Sequence, residues 1–286
     1  MASQSVMDVP ATGAVDYGLT RAGTHQLRRQ WKVADGRPRA VALLVHGISE
    51  HSGRYEHVGQ HLADAGFHTV AFDHRGHGHS DGPRVHVDAF SDFLDDVEDH
   101  LATAQSVGLP TVLIGHSMGG LICSAYAVSD RPQPDVLVLS GPALGANVPA
   151  WQRMLAPRLS QLAPRLFIPS FDFDEAVLSR DEWVQAAYLA DPLIRSGATP
   201  RLGDEMFRAM DHTLANLDRW RVPTLVLHGA DDQLVPAAAS EPLGTVVGVE
   251  RHALPGLRHE IFNEPEAHEL LDQLVVFATA HLPSLA

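Results

Sequence analysis

One cysteine, Cys123, among 286 residues leaves no internal disulfide to brace the chain, a usage that fits a reducing compartment. No apolar run approaches the ~18 residues that a membrane span requires. Residues Met1 to Pro10 lack both a basic start and an apolar core, so no secretory signal is visible. The expectation is a cytoplasmic chain whose membrane contact, if any, is peripheral. Positive charge is also scarce: 21 basic against 35 acidic residues give a net charge of −14. That balance excludes a nucleic-acid partner, which needs a basic face. It also removes attraction to anionic lipid heads, so a neutral substrate is easier to admit. Internal repeats and low-complexity tracts are absent too.

The composition that remains, 45% hydrophobic and 20% charged, is that of one globular unit long enough to bury a sizeable core. Strand-like runs fall at Gln26–Lys32, Val41–Val45, His68–Phe72, Thr111–Ile114, Val136–Ser140, Thr224–His228 and Glu250–Leu254. Between them lie helical stretches, among them Tyr55–Ala65, Ala89–Val107 and Glu266–His281. Strands alternating with helices imply βαβ units, an α/β class and a mostly parallel central sheet flanked by helices. The first 18 residues are expected to fray.

Within that rhythm, Gly115-His116-Ser117-Met118-Gly119 stands between the apolar run Thr111–Ile114 and the helix-compatible stretch from Gly120. The pattern Gly-x-Ser-x-Gly alone arises by chance about one time in ten in a chain of this composition. Strand before and helix after turn it into a nucleophile elbow, a turn so tight that its flanks must be glycine. Ser117 becomes the candidate nucleophile.

Hydrolases of this kind place the acid and then the base after the serine. Here Val222–His228 reads as a buried strand running into Gly229-Ala230-Asp231-Asp232, and the next strand runs into Pro255-Gly256-Leu257-Arg258-His259. A serine hydroxyl attacks only when a base takes its proton; His259 would do so, with a carboxylate fixing its tautomer. Asp232 is preferred to Asp231 because it sits nearer the return of the loop through Leu234-Val235-Pro236. His252 lies inside a strand-like run, where the sheet fixes its side chain, so His259 is the better base. The third need is an oxyanion hole. The N–H after the nucleophile, Met118, supplies one donor; the loop His46-Gly47-Ile48 after Val41–Val45 supplies the other through Ile48.

Three segments together resemble the monoacylglycerol lipase family. They are His46-Gly47-Ile48-Ser49-Glu50-His51-Ser52-Gly53-Arg54-Tyr55, Asp73 to Gly82, and Gly115 to Gly120. Val177 to Arg180, Asp191 to Ile194, the Gly229 to Pro236 loop and His259 extend the likeness from about His25 to the last helix. The resemblance implies an α/β-hydrolase fold with an inserted helical cap, and a serine esterase that needs neither metal nor cofactor. It implies Ser117, Asp232 and His259 as triad, and Ile48 and Met118 as oxyanion donors. Glu50, Arg54 and Tyr188 match its polar residues near the alcohol end. The implied substrate is a small lipid ester, a monoacylglycerol. A lysophospholipase or general carboxylesterase would use the same site, and a silent binder of small apolar ligands is the reading from another class.

From Gly145 to Asp218 no convincing strand appears. Trp151, Met154, Leu155, Leu159 and Leu162 share a helical face there, and Leu166–Pro169 with Phe171 is too apolar for an ordinary loop. Residues 145–218 are therefore read as the cap, and 19–144 with 219–286 as the core. An exposed face on the cap would offer transient contact with a membrane surface or lipid droplet. Asp73, His74, His77 and His79 look superficially like metal ligands, but hydrolases of this type need no metal and clustered histidines often match by chance. The Gly76-x-Gly78 pair among them reads as a turn next to the oxyanion loop rather than a dinucleotide fingerprint. The acidic run Asp92–Asp99 is expected to be a solvated helix face with Phe93, Leu94 and Val97 turned inward.

Overall fold

The computed structural model describes residues 12–170 and 174–284; Phe171 lies outside the described residues. In chain order the elements are β1 (Ala14–Leu19), β2 (His25–Trp31), β3 (Ala40–Val45), α1 (Glu56–Asp64), β4 (Phe67–Phe72), α2 (Ser91–Gln105), β5 (Thr111–His116), α3 (Met118–Ala127) and β6 (Val136–Ser140). They continue with α4 (Ala150–Leu162), β7 (Ile168–Pro169), α5 (Glu182–Ala190), β8 (Gly197–Ala198), α6 (Pro200–Ala215), β9 (Thr224–Gly229), β10 (Val249–Leu254) and α7 (Ala267–His281).

Eight strands form one sheet in the order β1-β2-β4-β3-β5-β6-β9-β10. From β4 to β10 every neighbour is parallel; only β1 with β2 and β2 with β4 are antiparallel. Helices cover both faces, so the central strands β3, β5, β6 and β9 are buried throughout, and their sequences read as unbroken apolar runs. Leu43, Val45, Leu113 and Leu139 point into one core with α2 and α3, while Ala42, Leu44, Val112 and Ile114 point into the other with α1 and α7. The carboxyl ends of β3, β5, β6 and β9 all lie at one edge of the sheet, where a parallel α/β fold carries its chemistry.

Three expectations need correction. Residues 12–18 are not a frayed end: β1 pairs with β2 in register from Ala14↔Gln30 to Leu19↔His25. Alternate apolar residues Val15, Tyr17 and Leu19 gave that strand its pattern, although it lies at the edge of the sheet with those side chains exposed. The segment assigned to a cap is not wholly separate either. Helix α6 buries Leu202, Ala209 and Met210 in the core that holds Leu121, Ile122 and Ala125 of α3. Finally, Asp96 is buried rather than solvated. It takes two hydrogen bonds of 2.7 Å from Arg75 and one of 2.9 Å from the Gln26 amide.

Helix α4 buries only Ala156 and Ser160. Trp151 (57% exposed), Met154 and Leu162 (83%) stand in solvent, while Leu155 is half-buried and Leu159 lines a cavity, so the stripe foreseen on this helix is in part an open face. No helix among the described residues is long and apolar enough to cross a membrane.

Candidate active site

β5 delivers His116 and α3 begins at Met118, so Ser117 must turn the chain alone. It does so at φ 52°, ψ −116°, a conformation that costs a non-glycine residue about 1–3 kcal/mol. The surroundings hold it there: Ser117 N–H donates to Ser140 O at 3.0 Å, and Ser117 O accepts from the N–H groups of Leu121 and Ala143, both at 3.0 Å. The flanking glycines are a matter of space. A Cβ on Gly119 would lie 2.0 Å from Val45 O, and one on Gly115 would lie 2.5 Å from Gly119 O.

The loop after β9 presents Asp232, and the loop after β10 presents His259. Asp232 and His259 meet, with Nδ1–H of the imidazole donating to Asp232 Oδ2 at 2.6 Å. Asp231 is exposed beside this contact, and the exposed His252 pairs with Glu250. Asp232 is further fixed by the N–H groups of Leu234 and Val235, each 2.9 Å from Oδ1, with His228 Nε2 3.3 Å from Oδ2. Burial alone would raise the Asp232 pKa. The charge on His259 and hydrogen bonds from His228, His259 and the Val235 N–H overcome it, leaving the carboxyl well below its usual range. For His259, burial opposes protonation, but the Asp232 carboxylate and, more weakly, Glu260 and Glu50 raise its pKa above the ordinary 6.5.

These groups adjoin the elbow. Gly141 follows Ser140, whose carbonyl holds Ser117, and a Cβ there would lie 3.5 Å from both Asp232 Oδ2 and His259 Nδ1. The His116 ring, next to the serine, sits 4.8 Å from the His259 ring. Ser117 and His259 line the same cavity, and Nε2 of His259 has no hydrogen-bond partner among the described residues.

The loop after β3 lies over the serine: a Cβ on Gly47 would be 3.2 Å from Ser117 Cβ. Neither Ile48 N–H nor Met118 N–H finds an acceptor among the described residues, which leaves two donors beside the nucleophile. His46 fastens this loop to the Asp73–Gly82 turn, since Nδ1 bonds Gly47 O at 2.7 Å and Nε2 accepts from His74 N–H at 2.9 Å. The turn's other residues have structural partners. Asp73 Oδ1 accepts from Ser52 Oγ, Asp73 Oδ2 from His79 N–H, His74 Nε2 donates to His46 O, and His77 Nδ1 to Arg75 O.

Glu50, Arg54 and Tyr188 line the same cavity, joined by a residue that the sequence reading missed. Glu260 receives both Arg54 nitrogens, Nη1 at 2.6 Å and Nη2 at 2.8 Å, while Arg54 Nη1 also reaches Glu50 at 2.9 Å. Glu50 Oε1 accepts from Gly47 N–H at 2.5 Å and Tyr55 hydroxyl at 2.8 Å. The guanidinium lies over the Tyr188 ring at 5.2 Å. A buried chain thus runs from the oxyanion loop through Glu50 and Arg54 to the residue next to His259. Burial would raise the Glu260 pKa, but bidentate pairing with Arg54 holds it down to about 2. Glu50 sits above its usual value, because burial and the Glu260 charge outweigh its share of Arg54. An acid beside the base, ahead of the apolar Ile261-Phe262, was the available signal.

The cavity holds about 660 Å³, within the range of sites for small ligands. Its polar end is this Glu50–Arg54–Glu260 group. Most of the remaining lining is apolar, with Leu159 of α4, Ile168, Met206, Phe207 and Met210 of α6, and Leu234.

A strained serine at the end of a parallel strand, with an Asp–His pair and free backbone N–H groups around it, defines the class: a serine hydrolase of the α/β-hydrolase fold. The family model described as "Serine aminopeptidase, S33" matches residues 36–266. The chain is 40% identical over 259 residues to the monoacylglycerol lipase of Mycolicibacterium smegmatis, covering 87% of this chain and 91% of that one. It is 30% identical over 260 residues to a Bacillus subtilis phospholipase, covering 88% and 100%. The crystal structure of Paleococcus ferrophilus monoacylglycerol lipase superposes with a TM-score of 0.80 at 31% identity, covering 89% of this chain and 98% of that one. The chain belongs to that serine hydrolase family, as a monoacylglycerol lipase-family member.

Proposed function

We propose that this chain hydrolyses monoacylglycerols to glycerol and free fatty acid through an acyl-enzyme, with Ser117, His259 and Asp232 as its triad. The observation that carries this reading is one cavity lined at once by Ser117 and His259, by the buried polar group Glu50, Arg54 and Glu260, and by apolar side chains. An ester with one acyl chain and a small neutral head matches both ends. His259 takes the Ser117 proton as Oγ attacks the carbonyl carbon, and the oxyanion forms against the N–H groups of Ile48 and Met118. The tetrahedral carbon then expels the glycerol oxygen, which collects the proton from His259. Water, deprotonated by His259, attacks the acyl-enzyme; its collapse releases the fatty acid and returns the proton to Ser117. Asp232 keeps the imidazole in the right tautomer throughout.

Glu50, Arg54 and Tyr188 form the alcohol end. The single guanidinium of Arg54 is shared between the carboxylates of Glu50 and Glu260, so this end offers polar edges without a spare cation. That supports an uncharged glycerol over a phosphate-bearing head, even though a phospholipase stands among the similar proteins. Residues 145–218 act as the cap over the core of 19–144 and 219–286, with α6 shared between them. The exposed apolar residues of α4, together with exposed Leu166 and, on α5, Trp183 and Leu189, support transient contact with a lipid surface. At a net charge of −14 such contact rests on apolar area and not on attraction to anionic lipid.

The test is release of glycerol and fatty acid from 1-monododecanoylglycerol beside release from a lysophosphatidylcholine of the same acyl chain. Faster turnover of the monoacylglycerol supports the reading. Preference for the lysophospholipid, or equal turnover by Ser117→Ala, contradicts it.

A further inference from the structure

Gly203 is the fourth residue of α6, where glycine is among the least favourable choices. Nothing in the backbone asks for it. Its φ lies outside the left-handed region that favours glycine, and its N–H makes a regular helical bond of 3.0 Å to Thr199 O. Close packing does not ask for it either, because a Cβ built there meets no atom within 4 Å. Contrast Gly119, where the same construction collides with the Val45 carbonyl.

The empty space is the cavity itself. Gly203, Met206, Phe207 and Met210 all line it, and their spacing of three, four and seven residues is that of one helix face. Ala156 and Leu159 of α4, a helix packed against α6, line the same cavity. A side chain at 203 would therefore take up part of the cavity volume that an acyl chain would need.

We propose that Gly203 is a specificity-determining residue: its missing side chain keeps open the part of the cavity that takes the far end of a long acyl chain. This rests on the ester-hydrolase reading above and names which acyl groups that site admits. The free volume is kept at the expense of helix propensity, so the position records a choice for substrate room over local stability.

The experiment compares Gly203→Ala and Gly203→Leu with the parent enzyme on p-nitrophenyl butyrate and dodecanoate, reading the dodecanoate-to-butyrate ratio of kcat/KM. A methyl group displacing one substrate methylene predicts a ratio lowered about fourfold for Ala, from ~0.8 kcal/mol of burial per methylene. Leu, displacing two or more, predicts a fall of at least about tenfold on the same scale. Thermal melting supplies the second readout: Gly203→Ala should raise Tm by about 2 °C, because the methyl meets no neighbour and the helix gains. Should the Leu variant not fold, the Ala variant carries both readouts. An unchanged ratio in the folded variants, or a lower Tm for Gly203→Ala, overturns the proposal while leaving ester hydrolysis standing. A parent enzyme inactive on both esters overturns the hydrolase reading and the proposal with it.

Discussion

Lowering the pH from 7.5 to 5.5 should destabilise this protein strongly, through buried histidines other than the base His259. His57, His77, His100 and His116 are buried, and burial is the first cause of their lowered pKa values: about 4 for His57 and His77, about 3 for His100 and His116. Each is neutral in the folded chain at either pH. The unfolded chain, with histidines near 6.5, gains protons as the pH falls below that value, and the native state cannot follow until pH 4 or lower. At pH 5.5 the difference is a little over 1 kcal/mol per histidine, or about 5–6 kcal/mol for the four. His259 runs the other way. Its raised pKa gives stability that is present at acid pH and lost as the pH rises through it, and the raised Glu50 acts in the same sense. Asp232 and Glu260 stay ionised at pH 5.5, so they do not enter. His46 and His74, also lowered by burial, act in the same sense as those four histidines. The net loss should therefore be at least about 3 kcal/mol, a large part of an ordinary domain's stability. Urea unfolding followed by circular dichroism at the two pH values measures it, and His100→Gln, which replaces a ring bonded to Gln26 at 2.8 Å, should remove about a quarter of the share of those four. Stability that stays within about 1 kcal/mol between the two pH values would refute the reasoning.

Other outcomes follow from the same geometry. Asp232→Asn should keep the fold and lower kcat by about a thousandfold or more, because the imidazole then loses its tautomer and its counter-charge; a loss under tenfold in steady-state assays would count against the triad. Glu260→Gln removes a negative charge near His259, so the acid limb of kcat/KM should move to lower pH, and an unmoved limb would deny that coupling. The same change should cost about 3 kcal/mol of stability by weakening the buried Arg54 pair. Gly119→Ala, which drives a methyl against the Val45 carbonyl, should abolish activity and lower Tm, whereas a stable active variant would mean that the elbow is looser than described. Trp151→Ala and Leu155→Ala should lower activity on emulsified long-chain substrate more than on a short soluble ester; equal losses would speak against a surface role for the cap.

The sheet and the elbow were legible because their causes are local. Unbroken apolar runs mark buried parallel strands, and Gly115 and Gly119 mark a turn with no room for side chains. The Asp232–His259 pairing was legible from chain order, since each stands just past the end of a strand. What escaped depends on partners distant in sequence. Glu260 became part of the site only through Arg54, and Asp96 was buried only because Arg75 and Gln26 reach it. Strand β1 was missed because three exposed apolar residues at an edge give a weak signal. The place of α6 was missed because its amphipathic face reads alike whether it roofs a cavity or packs on α3, and this helix does both.

The central claim is tested most directly by the mass of the intact protein after exposure to a fluorophosphonate, with the adduct located by peptide mapping. One adduct on Ser117, absent in Ser117→Ala and much slower to form in His259→Ala, is the result expected. Labelling at another residue, or none in the folded parent enzyme, would contradict the claim.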